Sequence, residues 1–576
     1  MPKKRKKRKR SSKASQKKRS VNWRIKALFL VFILMSGAII ARLYFLQIVH
    51  GDYYAALARG QKTADERVIP RGKIYFADNA GEDRFIAATN KEAPLVYANP
   101  KEIKDERAVL SEVKKVIEIP EEDTDIILDR MRNKNLSYAL IARGLSKEKG
   151  EEIDALKLPG VYTRTELARI YPAGSIASDL LGFLGFSGSK RSGQYGLEEF
   201  YDPALSGDTD SGFFFTDLFS PNIDESADLE LSVDYGVQFA VEKKLETLVE
   251  ELEAESASAI FMDPSTGAII AMAIVPDFNP NNYNAVENIS IFSNETTQAV
   301  YELGSVFKPI TMAAAIDAGV ITPKTVYEDT GKIEISGYTI RNSDGKAYEN
   351  QTMTEALEKS LNTGAIFAQQ EVGKKKFREY LENFQLDKVT GVDLPGEVPG
   401  NIENVKNTNR DINFATASFG QGISFSPLRF LASMAAIANE GKIMRPYVVD
   451  KINYSDKSIS TDPEVMAQPI NSLTASRITA MMVSVVENGY GEKAKVPGYT
   501  VAGKTGTAQV PNPDGPGYSD KTIHSFVGFA PAYNPKFIGI VKVDNPQNIK
   551  FSADSVTPAF GDLASFILQY YKIPPQ

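Results

Sequence analysis

The longest apolar stretch comes first. Residues 27–41 carry no charge, Arg42 follows, and 43–49 are again mostly apolar. As one helix, 27–49 extends roughly 34 Å at about 1.5 Å per residue, enough to cross a bilayer. Arg42, near its outer end, can snorkel to the interface. The pattern then becomes mixed. Short β-like runs at 73–77, 84–88 and 95–98 precede charged helical stretches at 108–119, 121–133 and 147–156. After the polar break Asp224-Glu225-Ser226-Ala227, 229–233 reads as a strand. Residues 235–252 read as a helix with Val237, Ala240, Val241, Leu245 and Leu248 at helical spacing. Runs at 258–262 and 268–273 flank Asp263-Pro264-Ser265-Thr266-Gly267, which has the turn chemistry of a hairpin loop. Helical patterns continue at 310–318 and 474–487. Strands are predicted at 499–502, 525–529 and 537–543, with a Pro/Gly-rich loop at 511–517. The predicted plan is α+β, an antiparallel sheet with a helical lobe over 228–576, preceded by a mixed α/β domain over 50–227. A basic tail (1–26) and a membrane span (27–49) come before both.

Charge supports that order. The tail holds fourteen Lys/Arg and no acid, leaving 53 basic against 73 acidic residues in the remainder. A basic run could bind nucleic acid, but directly before an apolar span it reads as the cytoplasmic flank of an uncleaved anchor. Everything from His50 onward is then extracytoplasmic, and no nucleic-acid partner is expected. The chain has no cysteine and two histidines, His50 and His524. This excludes a thiol nucleophile, a cysteine-based metal site and a three-histidine zinc site. A Ser-His-Asp triad could use only His524, so lysine is the more natural base for a nucleophilic serine.

Three motifs fit that expectation. Ser305-Val306-Phe307-Lys308 is one of six Ser-x-x-Lys occurrences, and it precedes an apolar, helix-forming run. Pro309 is tolerated only in a first helical turn, which puts Ser305 at a helix N-terminus with Lys308 one turn on. Ser360-Leu361-Asn362 follows 55 residues later, after a helical stretch and before a turn at Thr363-Gly364. Lys504-Thr505-Gly506 occurs once, 144 residues further on, and continues with Thr507 along a predicted strand. Gly503 and Gly506 flank Lys504-Thr505 and permit close approach of another backbone. An extended peptide could pair with that strand. Lys504, Thr505 and Thr507 could hold a terminal carboxylate, and the N–H groups of Ser305 and Thr507 could form an oxyanion hole.

In this order and spacing the motifs match serine acyl-enzymes acting on D-alanyl peptides and β-lactams. The chain resembles the class B penicillin-binding proteins, membrane-anchored peptidoglycan D,D-transpeptidases. Arg71-Gly72-Lys73-Ile74, Arg169-Ile170-Tyr171-Pro172-Ala173-Gly174 and Gly193 to Gly196-Leu197-Glu198 are similar to the three motifs of the family's N-terminal pedestal. Asp263–Gly267, Thr390 to Glu397 and Ser418-Phe419-Gly420-Gln421-Gly422 are similar to recurrent segments of its transpeptidase domain. The resemblance implies a penicillin-binding transpeptidase fold and the following roles. Ser305 attacks the D-Ala-D-Ala carbonyl of a stem peptide, Lys308 is the base, and Ser360 passes a proton to the leaving amine. Asn362 positions the acyl chain, while Lys504, Thr505, Gly506 and Thr507 form the carboxylate-binding strand. A second stem peptide's amine then completes the cross-link. No metal or organic cofactor is implied. Implied partners are peptidoglycan stem peptides, β-lactams, the membrane, a SEDS-family glycosyltransferase and other divisome proteins. Ser418–Gly422 and the chain length point to the cell-division branch rather than the elongation branch.

One departure is visible. The segment Tyr75-Phe76-Ala77-Asp78-Asn79-Ala80-Gly81 is stretched and lacks the arginine usual after the first pedestal motif, which leaves the pedestal's internal salt bridges open. Three other readings stand beside the transpeptidase. A β-lactamase would use Glu397 with Asn401, a D,D-carboxypeptidase would use water as acceptor, and a β-lactam sensor would keep the fold without the reaction.

Overall fold

The computed structural model describes residues 27–30, 35–36, 70–78, 84–187, 190–207, 225–407, 410–512 and 515–575. The basic tail lies outside the described residues, as does most of the predicted span at 27–49. Among the described residues no helix is long and apolar enough to cross a membrane.

The pedestal is built on β1 (Ile74–Ala77), β2 (Phe85–Ala98), β3 (Ala139–Ala142) and β4 (Val161–Ile170), which join β5 (Asp228–Asp234) in one sheet. Its order is Ser458–Ser460, Val449–Asn453, β5, β1, β2, β3, with β4 also along β2. The sheet thus crosses the boundary read at 227, since β5 pairs in parallel with β1 and antiparallel with Val449–Asn453. The two runs predicted at 84–88 and 95–98 are one 14-residue strand. Asn90-Lys91-Glu92 stays extended because β4 pairs without a break from Thr89↔Ile170 to Ala98↔Val161. The helix predicted at 108–119 is shorter, Glu106–Val113, capped by the Asp105 carboxylate on Ala108 N–H.

The three pedestal motifs converge on Glu198, which is fully buried. Arg71 Nε lies 2.6 Å from Glu198 Oε2, Arg169 Nε 2.7 Å from Oε1, and the Tyr171 hydroxyl donates to Oε1 at 3.0 Å. Arg71 also pairs with Asp202 at 2.5 Å. A Cβ on Gly193 would sit 1.7 Å from the Glu198 carbonyl oxygen, so only glycine fits there. The ion pairs that the stretched Tyr75–Gly81 segment had left open are therefore present, supplied by the motifs themselves.

The second sheet has five antiparallel strands in the order β8 (Ala502–Pro511), β9 (Tyr518–Ala530), β10 (Phe537–Asp544), β6 (Ser256–Met262), β7 (Ile269–Val275). Period-two alternation assigns its faces. Ala257, Ala259 and Phe261 pack with the helices Tyr235–Glu251 and Val556–Tyr570, whereas Ile260 and Met262 join the core shared with the helical lobe. The predicted hairpin around Asp263–Gly267 forms, with Gly267 at φ +91°. The strand predicted at 499–502 starts later. Tyr499 is held in an isolated bridge to Val496, and the ladder begins at Ala502↔Phe529. This places β8 at the sheet edge, beside the lobe. Asp393 fastens the pedestal to this body. Its carboxylate accepts from Val448 N–H (2.7 Å), Val449 N–H (2.8 Å) and the Tyr201 hydroxyl (2.9 Å).

Burial alone would raise the pKa of Glu198, but the charges and hydrogen bonds of Arg169 and Arg71 outweigh it and hold it below the ordinary carboxylate value. The resulting stabilisation is present above that ordinary value and is lost as pH falls through the lower folded one. Glu198→Gln leaves two buried guanidiniums facing a neutral amide and is expected to cost about 3–5 kcal/mol. Urea unfolding, with hydrogen exchange followed over 161–207, measures the loss; an unchanged midpoint would contradict it.

Candidate active site

Ser305 sits in a tight turn. Gly304 at φ +60° opens a 3₁₀ turn, Gly304–Phe307, that runs into the helix Lys308–Asp317, with Pro309 in the first helical turn as predicted. The helix begins two residues earlier than the apolar pattern at 310–318 suggests. Ser305 is half-buried, while Val306, Phe307 and Lys308 are buried. Two glycines from other segments receive this turn. A Cβ on Gly506 would lie 3.0 Å from Val306 N and 3.1 Å from Leu303 O, and one on Gly420 would lie 2.4 Å from Gly304 O. Gly304 N–H donates to Gly420 O at 3.1 Å, and the Thr311 hydroxyl to Ser418 O at 2.7 Å. The Ser418–Gly422 segment is therefore the buttress behind the Ser305 turn. Gly503 plays a different part from the one expected. A Cβ there would lie 2.3 Å from the Phe526 ring, so the glycine makes room for that ring and serves the core instead of an incoming backbone.

Ser360 lies between the helices Met353–Glu358 and Asn362–Val372. The turn predicted at Thr363-Gly364 is instead the first turn of that second helix, and the reversal falls on Ser360 itself, at φ +55°. A non-glycine residue in this region is uncommon and is held there by its surroundings. Lys308 Nζ donates to Ser360 O at 2.6 Å and to Ser360 Oγ at 3.2 Å. Lys504 Nζ donates to the same Oγ at 3.0 Å, and to Thr505 O and Oγ1 at 2.9 and 3.3 Å. Two lysines from distant segments thus meet on one hydroxyl.

Both lysines are fully buried, and neither has a carboxylate partner among the described residues. Burial, and then the charge of Lys504, push the Lys308 pKa well below the ordinary lysine value. Burial lowers Lys504 to about 7. Two ammonium groups around one oxygen repel, so the proton leaves Lys308 first, while Lys504 keeps its charge to higher pH. A neutral amine can take a proton from a serine hydroxyl, and a cation can hold a carboxylate.

The remaining predicted residues are more dispersed. Asn362 directs its Nδ2 to Arg341 O at 2.9 Å. The Thr507 hydroxyl accepts from Ser552 N–H at 3.1 Å and lies 3.2 Å from Ser552 Oγ. Ser552 escaped the sequence reading because no motif surrounds it. The two rival groups are bonded elsewhere. His524 is buried on β9 with Ser555 Oγ 2.8 Å from Nδ1 and Thr522 Oγ1 3.3 Å from Nε2, and burial lowers its pKa to about 4. Glu397 accepts the N–H groups of Thr390 and Gly391 at 2.6 and 2.9 Å, closing its own loop.

Comparison with known proteins gives the family and the fold. Residues 257–565 match the family model "Penicillin binding protein transpeptidase domain", and 67–217 match "Penicillin-binding Protein dimerisation domain". Stage V sporulation protein D of Bacillus subtilis is 32% identical over 95% of this chain and 86% of its own length. Peptidoglycan D,D-transpeptidase FtsI of Escherichia coli is 29% identical over 96% and 93%. Among solved structures, apo penicillin binding protein 3 from Mycobacterium tuberculosis superposes with a TM-score of 0.64 at 28% identity, covering 71% of this chain and 92% of that one. Penicillin binding protein 2X from Streptococcus thermophilus has a TM-score of 0.70 at 22% identity, covering 88% and 81%, a likeness of fold.

The lysine pair sets a pH profile. With Lys308 as the base, acylation would need it neutral, so the rate rises with pH through the depressed Lys308 pKa. It needs Lys504 charged, so the rate falls again as pH passes about 7 in the free enzyme. The second-order rate of labelling by a fluorescent penicillin is therefore expected to be bell-shaped. A profile that rises monotonically past pH 9 would remove Lys504⁺ from the reaction.

Proposed function

The chain belongs to the penicillin-binding transpeptidase family, and we propose that it cross-links peptidoglycan as a serine D,D-transpeptidase. The convergence of Lys308 and Lys504 on the Ser360 hydroxyl, beside the Ser305 turn, carries this reading. Neutral Lys308 removes the Ser305 proton as Oγ attacks the penultimate D-alanyl carbonyl of a stem peptide. The N–H groups of Ser305 and Thr507 receive the developing oxyanion. The terminal carboxylate lies against Lys504, Thr505 and Thr507, and Ser360, bonded to both lysines, delivers a proton to the departing D-alanine amine. An acceptor amine on a second stem peptide then displaces Ser305, forming the cross-link and restoring the hydroxyl. Asn362 positions the acyl chain from the mouth of its helix. A β-lactam acylates the same serine and leaves slowly. No step calls for a metal or organic cofactor.

The chain acts from the membrane, with residues 1–26 cytoplasmic, 27–49 spanning the bilayer and the catalytic body outside. The apolar span and its basic flank support this orientation. Its role is septal, alongside a SEDS-family glycosyltransferase and other divisome proteins. The Ser418–Gly422 segment and the likeness to FtsI of Escherichia coli support that assignment.

Ser305→Ala is expected to abolish penicillin labelling and cross-linked product while leaving the fold intact. Persistent labelling would overturn the site, and hydrolysed donor without cross-linked product would make the protein a carboxypeptidase. A fluorescent fusion in the source cell is expected at the division septum; a uniform sidewall signal would assign it to elongation.

A further inference from the structure

The junction between the pedestal and the catalytic body buries a second pair of like groups, and the proposed mechanism gives them no task. After the Arg169–Gly174 motif the chain enters the short helix Ser178–Leu181 through Ala177, a non-glycine residue at φ +58°. Such a conformation persists only where its surroundings hold it. Here the catalytic body does so. Ala177 N–H donates to Glu242 Oε1 at 2.7 Å, and Asn281 exchanges hydrogen bonds with the Tyr171 backbone, both at 2.9 Å. Glu242 lies on the helix Tyr235–Glu251, where Gln238 Nε2 also donates to Oε1, at 2.8 Å. Asp179 is 5% exposed and Glu242 3%, yet Asp179 Oδ1 and Glu242 Oε2 have no hydrogen-bond partner among the described residues.

A buried ionised carboxylate with an unpaired oxygen is costly, and keeping a proton relieves the cost. Burial, then the charges of Asp277 and Glu242, push the Asp179 pKa well above the ordinary carboxylate value. Burial raises Glu242 to about 7, against the pull of its two N–H donors. The groups facing the pair do not neutralise it. Asp277, which follows β7, is bonded by Ser175, and Glu246 and Glu295 add negative charge. Lys243, the cation that bears on Asp277, is paired with Glu246 at 2.7 Å. We propose that Asp179 and Glu242 form a proton-held latch between the pedestal and the catalytic body, closed while the pair keeps a proton and released when both carboxyls ionise. Opening exposes the carboxyls to water, where they lose the proton that the closed junction keeps. The stabilisation of the closed state is therefore fully present below the ordinary carboxylate range. It is lost as pH rises through about 7 and on toward the higher Asp179 value. Glu198 gives the opposite case in the same domain: its pKa is held low, so its network keeps constant charge near neutral pH. The latch does not depend on the chemistry at Ser305.

Hydrogen exchange in the full chain in detergent, corrected for intrinsic rates and run from about pH 5.5 to about pH 8.5, tests the latch. An opening that releases one proton is favoured up to about tenfold per pH unit. Protection over 175–182 is expected to fall about tenfold or more across the range, while β4, in the same pedestal, stays level. Asp179→Asn replaces the shared proton with a neutral amide and should flatten the profile to about twofold or less, as should the double variant that adds Glu242→Gln. A level profile in the wild type overturns the proposal, as does an unchanged slope in both variants or an equal loss of protection in β4. Calcium that restores wild-type protection at the high end of the range would make the pair a cation site and would also overturn it. If neither variant folds, the wild-type profile over 175–182 against that of β4 decides.

Discussion

The site depends on burying two lysines together without an acid between them. Removing an ammonium from water costs several kcal/mol, and a second one nearby adds repulsion. The fold meets this with oxygen acceptors alone, Ser360 O and Oγ and the Thr505 carbonyl. A carboxylate partner would stabilise both charges and leave each lysine a spectator. Neutral acceptors keep the proton affinity low, so one lysine can stand as a neutral amine while the other remains a cation. The same arrangement explains the strained backbone of Ser360: only a reversal at that residue presents both its carbonyl and its hydroxyl to lysines arriving from a helix and from a strand.

The arrangement requires the Ser305 turn, the Ser360 reversal and the sheet edge to approach more closely than side chains permit. A Cβ on Gly420 would strike the backbone of the Ser305 turn, and one on Gly506 would meet the Val306 side chain at 2.8 Å and crowd the backbone beside it. Ser418 O then fixes the helix behind that turn through Thr311. The recurrent Ser418–Gly422 segment and the Lys504-Thr505-Gly506 strand are two sides of one steric clamp. That is a physical reason for glycines in both.

Much of this was legible in the sequence because it is local. Pro309 fixes a helix start, the turn residues Asp263–Gly267 between the apolar runs 258–262 and 268–273 fix a hairpin, and the motif order singles out Ser305 among the Ser-x-x-Lys serines. Non-local features were not legible. Nothing near Lys308 says that its ammonium meets Ser360, since that contact spans 52 residues and depends on the reversal at φ +55°. Asn90-Lys91-Glu92 reads as a break in a strand until β4 supplies its partners. Ser552 becomes visible only when the chain after β10 returns to Thr507. Gly503 shows the opposite error, a glycine read as a feature of the site that in fact accommodates Phe526.

The groups that could have supported other chemistry are each committed elsewhere. His524 is opposite Thr507 in the ladder, close in register to the site, yet its ring is bonded to Ser555 and Thr522. Burial favours its neutral form across the physiological range. Glu397 has the spacing of a deacylating base relative to Asn401, but its two oxygens hold Thr390 and Gly391. With the histidine and that glutamate engaged, the titratable groups that the motifs bring together are the two lysines that meet on Ser360. Among the described residues, an acyl-enzyme on Ser305 would find neither His524 nor Glu397 free to activate water against it. Its lifetime then suits interception by an amine held in place on the protein, which makes the positioning of the peptide strands, more than further acid–base chemistry, the determinant of what the enzyme produces.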